Sequence, residues 1–336
     1  MKKTIILVMP HHFKIYEGFK KNLENLDFDI KLLFTSDSEF QYDHAAQKIT
    51  NFFRKLVGDK NYKNTLKDQY NDKSLRKALS SINQKVEYAL VIRPDYFSKE
   101  TLEILKQKTN QLIAYQWDGL DRYPKAKELI NIFDRFFLFD VDDYEKYKSQ
   151  YANVFPITNF YFDFDSEIDP HKTGEDPKEI FFIGSFIEKR IDDIKYLTRI
   201  FTELKMKTNI NLLYFDERTP LLHQQNGINF IEKPLTYLET LEMVKKADIV
   251  LDVADPVHNG LSFRIFETLH YSKKLITTNP LVKDYDFYSP DNILVWDKSV
   301  DKNNIKDFLS KDHIKIDDEI RKNYSFTNWI WTILKN

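Results

Sequence analysis

In the segment DIVLDVADPVHNGLSFRIFETLHYSKKLITTN, residues 248 to 279, an apolar run opens into a polar loop, Asp255 to Gly260, and then into a helical pattern from Leu261 to Tyr271. Ser262 stands where a side-chain oxygen would cap the first turn, Arg264 brings a cation into that turn, and Glu267 follows about one turn later. Open N–H groups at a helix start, the helix dipole and an arginine can together neutralise a diphosphate without metal. A carboxylate one turn on can accept both hydroxyls of a ribose, so the segment has the chemistry of a nucleoside-diphosphate site. A second candidate is IFFIGSFIEKR, where Gly184 ends an apolar strand, Ser185 begins a turn, and Lys189 and Arg190 open a helix. Such a junction lets backbone N–H groups approach a phosphate, although an ordinary βα turn has the same composition. Glycine is scarce, at 7 in 336 residues, so each one marks a backbone requirement.

These groups need a scaffold, and the hydrophobic pattern supplies one. Short apolar runs alternate with amphipathic stretches along the chain, which predicts β-α units on parallel sheets. A first series of strands comprises residues 4–9, 28–34, 88–92, 111–115 and 135–139, and a second comprises 179–184, 209–214, 228–231, 248–253 and 274–278. Between them PITNFYFDFDSEIDPHKTGEDP is rich in Pro, Asp and turn formers and reads as a connection. The expected organisation is a first domain over 1–156, a linker over 157–177, a second domain over 178–316 and a helical end over 317–336. That end carries Phe326, Trp329, Ile330 and Ile333 on one face and is expected to pack back. The fold class is thus α/β, with two Rossmann-like domains facing across a crevice and the ligand beyond the carboxyl ends of the strands.

Composition narrows the possibilities. Hydrophobic residues make up 42% and charged residues 30%, which is a globular balance. A net charge of -2 argues against coating nucleic acid, so no nucleic-acid partner is expected. The absence of cysteine excludes disulfides, thiolate metal sites and thiol catalysis. The apolar runs Ile5–Met9 and Phe136–Phe139 fall far short of the ~20 residues that span a bilayer. The start, MKKTIILVMP, reads as a first buried strand rather than a leader, and a cytoplasmic location is the expectation.

The run GLSFRIFETLHYSKKLITTN resembles the donor-binding segment of glycosyltransferases with the two-domain GT-B fold, particularly bacterial enzymes that build lipopolysaccharide, capsule or other surface glycans. The resemblance is best over 228–279, is supported by FFIGSFIEKR at 181–190, and is architectural only in the first half. It implies a nucleotide-sugar donor, with Gly184, Ser185 and Arg190 facing its phosphates. It further implies that His258, Asn259, Gly260, Leu261, Ser262 and Arg264 meet the diphosphate, that Glu267 binds ribose, and that Lys233 and Pro234 lie near the base. Two departures stand out. Many retaining members carry a second glutamate eight residues before the ribose-binding one, where this chain has Asn259, and the first strand runs into Met9, Pro10, His11 and His12 rather than a glycine-containing loop. Both stereochemical outcomes therefore stay open.

An inverting transfer needs a base for the acceptor hydroxyl, expected from the first domain. Asp118, in IAYQWDGLDRYP, is the first choice, because apolar neighbours there would raise its pKa; Asp95, His11 and His12 are alternatives. Asp140 and Asp142 form an Asp-x-Asp pair, but 33 aspartates in 336 residues give about three such pairs by chance and the sequence holds four. Metal-independent transfer without a cofactor is expected, the nucleotide-sugar being substrate. The partners are that donor and a glycan or lipid-linked acceptor. Residues 48–77 carry nine Lys/Arg against three Asp, interleaved with Phe52, Phe53, Leu56, Tyr62 and Tyr70, which reads as a solvated helical insertion or as peripheral contact with an anionic membrane or a lipid-linked acceptor. Alternatives to glycosyl transfer are a nucleotide-sugar epimerase of similar architecture, acting without an acceptor, and a non-enzymatic two-domain sensor of a small ligand.

Overall fold

The central apolar runs become strands buried on both faces, as a parallel sheet covered by helices requires. Ile5 to Met9, for example, are fully buried, while Phe28–Thr35 and Ile228–Ile231 form partly exposed edges. The structure, a computed structural model, describes residues 2–35, 42, 44–56, 62–165, 178–255 and 260–335. It divides into two compact units, Met1–Ile157 with Ile333–Asn336, and Thr158–Thr332.

The first unit contains β1 (Lys3–Pro10), β2 (Phe28–Thr35), β3 (Val86–Ile92), β4 (Thr109–Gln116), β5 (Arg135–Leu138) and β6 (Val154–Pro156). All pairings are parallel and the order is β2-β1-β3-β4-β5-β6. The order reverses between β1 and β3, and such a reversal opens a crevice at the carboxyl ends of the two strands. His11 and His12 leave β1 at that place, and Arg93 to Asp95 leave β3.

The second unit contains β7 (Glu179–Ser185), β8 (Lys207–Leu213), β9 (Ile228–Ile231), β10 (Ile249–Asp252), β11 (Lys274–Thr277) and β12 (Ile293–Val295). Its order, β12-β11-β10-β7-β8-β9, is that of dinucleotide-binding sheets, with the reversal between β7 and β10. The helix Glu188–Glu203 covers this sheet through Ile191, Ile194, Leu197 and Phe201, spaced three to four residues apart. A capping box at Thr236 and Glu239 fixes the start of the helix Tyr237–Lys246.

Two strands were not expected, β6 and β12, each three residues long. Part of the expected connection is packed rather than extended: Phe160 and Phe162 are buried, and Phe160 meets Phe263, Phe326 and Trp329 ring to ring. The end of the chain does pack back, but as two helices, Asp318–Asn323 and Phe326–Leu334. Tyr161 causes the break. Its N–H donates to Tyr324 O and its carbonyl accepts from Phe326 N, so these two groups of residues 324 and 326 serve a β-bridge instead of a continuous helix.

His270 gives the second unit a pH dependence. Its ring is stacked 4.4 Å from Tyr161, with Nε2 2.9 Å from Asp165 O, and burial lowers its pKa from 6.5. A histidine depressed in the folded state contributes stability that is complete above the unfolded value and is lost as pH falls through the folded one. Urea midpoints should therefore drop as pH falls below 6.5, with a smaller slope in His270→Asn.

Candidate functional site

Arg190 sits where the second sheet reverses. From the first turn of its helix, Nη2 donates to Ser185 O at 2.7 Å, at the end of β7, and Nη1 donates to Val253 O at 2.8 Å, just beyond β10. The guanidinium thus spans the switch point. At Gly184 a Cβ would press on Phe182 Cζ at 3.2 Å, while 3.5 Å from Nη2 it would make only ordinary contact with the arginine. Arg190 Nε is buried with no hydrogen-bond partner among the described residues, and burial lowers the arginine's pKa against the pull of Asp255 and Asp252.

Beyond β10 the chain re-enters description at Gly260; His258 and Asn259 lie outside the described residues. Buried polar side chains then hold the loop. Asn279 Nδ2 donates to Gly260 O at 2.9 Å, and Asn159 Nδ2 donates to Leu261 O at 2.9 Å. Ser262 occupies the N-cap position of the helix Phe263–His270, but its hydroxyl donates to Asp252 Oδ1 at 2.8 Å and makes no cap. The expected cap is corrected accordingly: the hydroxyl is turned to the buried carboxylate of Asp252, and its oxygen accepts no N–H of the helix start. Thr277 Oγ1 donates to the other oxygen of Asp252 at 2.8 Å.

One turn into this helix, Glu267 is only 1% exposed. Tyr237 Oη donates to Oε1 at 2.7 Å, and the Arg264 guanidinium pairs with Oε2. Burial, then the Glu267 charge, push the Tyr237 hydroxyl well above its usual pKa of 10, which keeps it a donor. The carboxylate expected to stand open to a ribose is closed over by these two groups, which use two of its roughly four acceptor positions. Lys233 and Pro234 are exposed in the loop after β9.

In the first unit the structure assembles a cluster that sequence reasoning did not foresee. Arg93, 3% exposed and in the left-handed region at φ 62°, grips Asp95 bidentately, Nε to Oδ1 and Nη2 to Oδ2, both at 2.7 Å. Its Nη1 donates to Asp118 Oδ2 at 2.6 Å, and its guanidinium lies 3.5 Å from the Tyr123 ring centroid. Burial opposes the cation, but the two carboxylates hold Arg93 above its ordinary pKa. The apolar setting expected around Asp118 is therefore corrected: Arg93 and, at 3.8 Å from Oδ1, Arg122 are its neighbours. Asp95 and Asp118 come together through Arg93. His11, half-exposed, packs against the rings of Tyr16 and Phe34, while His12 is exposed. Asp140 caps the helix Val141–Tyr147, accepting from the N–H groups of Asp142 and Asp143. Among the described residues no group of three or more His, Asp or Glu is gathered as a metal site would need.

Asp252, Tyr237, Asn159, Asn279 and Arg93 are the organising residues missing from the sequence reading. Only Arg93 left a signal there, as a charge directly after the apolar strand YALVI.

No protein-family model matches the sequence, and no curated protein matches it. Solved structures do. A glycosyltransferase from Rickettsia africae ESF-5 is 12% identical, with a TM-score of 0.52 over 100% of this chain and 99% of that one. The catalytic domain of starch synthase IV from Arabidopsis thaliana, bound to ADP and acarbose, is 8% identical, with a TM-score of 0.58 over 95% of this chain and 94% of that one. At these identities the likeness is one of fold. The two parallel six-stranded sheets with flanking helices have the GT-B fold, a pair of Rossmann-like domains.

Proposed function

We propose that the chain is a glycosyltransferase, moving a sugar from a nucleotide-sugar held by the second unit to a hydroxyl of a glycan or lipid-linked acceptor in bacterial surface-glycan assembly. The observation that carries this reading is Arg190, a guanidinium fixed across the β7/β10 switch point with a buried Nε that has no acceptor among the described residues. A buried N–H without a partner is costly, and a phosphate oxygen would satisfy it. The starch synthase domain of the same fold is itself bound to ADP.

In such a transfer negative charge develops on the leaving diphosphate, and donors already in place stabilise it without rearranging. Gly184, Ser185 and Arg190 would meet it from one side. The loop His258 to Ser262, the helix start and Arg264 would meet it from the other, without a metal ion. Arg264 would leave Glu267 for the diphosphate, freeing Oε2 to accept from a ribose hydroxyl, and Lys233 and Pro234 would border the base. For the acceptor proton we assign the first unit's carboxyl edge, with Asp118 and His11 as the two groups. Asp95 is held at both oxygens by Arg93, whose third nitrogen holds Asp118. The role belongs to whichever variant, Asp118→Asn or His11→Gln, abolishes turnover while nucleotide binding persists.

The first test is thermal stabilisation by a panel of nucleoside diphosphates. One of them, at 100 times its Kd, should stabilise the wild type by about 2.7 kcal/mol. Arg190→Met should weaken that ligand by about 1.5–3 kcal/mol, the usual worth of a hydrogen bond to a charged group. If no nucleotide shifts the wild type, the reading fails. If one binds but no sugar is released or transferred with acceptors supplied, the chain is a sensor.

A further inference from the structure

The helix Ala45–Leu56, AAQKITNFFRKL, is mounted inside out. At 100° per residue, Ile49, Phe52 and Phe53 share one side and Gln47, Thr50 and Asn51 the opposite one. In a surface helix of a globular domain the apolar side faces the core. Here Asn51 is buried at 7%, with Nδ2 donating to Tyr42 Oη, while Ile49, Phe52 and Phe53 are 56%, 61% and 60% exposed. The segment contains no acidic residue and three cations, Lys48, Arg54 and Lys55. The neighbouring helix Tyr62–Ser80 is mounted the ordinary way, with Leu66, Leu75 and Leu79 buried. It is the foundation, and the outward face belongs to the first helix alone. Residues 57–61 lie outside the described residues.

We infer that this face docks on an anionic lipid surface, Phe52, Phe53 and Ile49 entering the headgroup boundary and Lys48 and Lys55 meeting lipid phosphates. Exposed aromatic side chains beside lysines match that boundary, apolar below and negatively charged above. A second copy of the chain fits less well. A two-fold contact would set the same cations against one another, and like charges across an interface are costly. The inference is independent of the nucleotide reading, because it uses none of the donor-site residues.

Co-sedimentation of the full chain tests it, using vesicles of phosphatidylcholine alone and of phosphatidylcholine mixed with phosphatidylglycerol. The wild type should bind the anionic vesicles, less so as salt rises, and bind the neutral ones weakly. Phe52→Ser with Phe53→Ser should lower that binding at least tenfold, and Lys48→Gln with Lys55→Gln roughly fivefold for each charge removed. Both pairs are exposed, so nucleotide stabilisation and thermal midpoint should stay at wild-type values. Absence of wild-type binding to anionic vesicles overturns the inference, as does binding indifferent to both pairs. Sedimentation velocity showing a dimer that the Phe pair abolishes would overturn it in favour of self-association.

Discussion

Arg93→Met should cost the first unit about 3–5 kcal/mol, the usual price of removing one partner from a buried ion pair. The charge is 3% exposed, and its loss would take from Asp95 its bidentate partner and from Asp118 its nearest cation, side chains only 9% and 17% exposed. Methionine keeps much of the aliphatic volume against Tyr123, so the loss reports the charge rather than a void. The measurement is native-state hydrogen exchange of the β3 and β4 amides, with the β7 and β8 amides of the other unit as an internal reference. Adding Asp95→Asn and Asp118→Asn should recover a large part of the loss, since the carboxylate charges are then gone. An equal loss in both backgrounds would mean that Arg93 matters for packing and for its left-handed backbone, not for its partners. Turnover would fall with stability in either case, because this cluster shapes the loops after β3 and β4.

What the sequence could announce, and what it could not, follows from the range of the interactions. A strand covered on both faces must be apolar throughout, so TIILVM and EIFFIG stood out from their neighbours. β6 and β12 did not, being edge strands of three residues with one buried position each. The helix start at Ser262 was legible from local spacing, yet the cap is not made, the side chain being turned to Asp252, ten residues away. Tyr237 and Glu267 are thirty residues apart, and Asn159 and Leu261 more than a hundred. No periodicity relates such positions; only the closing of β-α units over the sheet brings them together. Asp118 failed in the same way. Its neighbours in sequence are Trp117 and Gly119, but its neighbours in space are arginines. Local chemistry located the sites, and distant residues decide the state of each side chain in them.

A nucleoside diphosphate should bind the wild type about 1.5–3 kcal/mol more tightly than its 2′,3′-dideoxy analogue, and Glu267→Gln should erase most of that preference. The argument turns on how Glu267 is held. Tyr237 and Arg264 each hold one of its oxygens, so a ribose gains a freed oxygen of the carboxylate when the arginine turns to the diphosphate. Diphosphate and ribose would then bind cooperatively through one ion-pair exchange, and inorganic pyrophosphate would lose affinity in Arg264→Met but much less in Glu267→Gln. Glutamine retains an acceptor for Tyr237 and the volume of the buried side chain, which separates ligand recognition from folding. Glu267→Ala does not: it leaves the buried Tyr237 hydroxyl and the Arg264 guanidinium unpaired and should cost about 3–5 kcal/mol of stability on its own. A wild type that binds the ribose and dideoxy forms equally would assign Glu267 to holding Arg264 alone. Nucleotide selection would then rest on contacts other than the ribose hydroxyls, such as the exposed loop at Lys233 and Pro234, where substitutions would change nucleotide affinity without touching the fold.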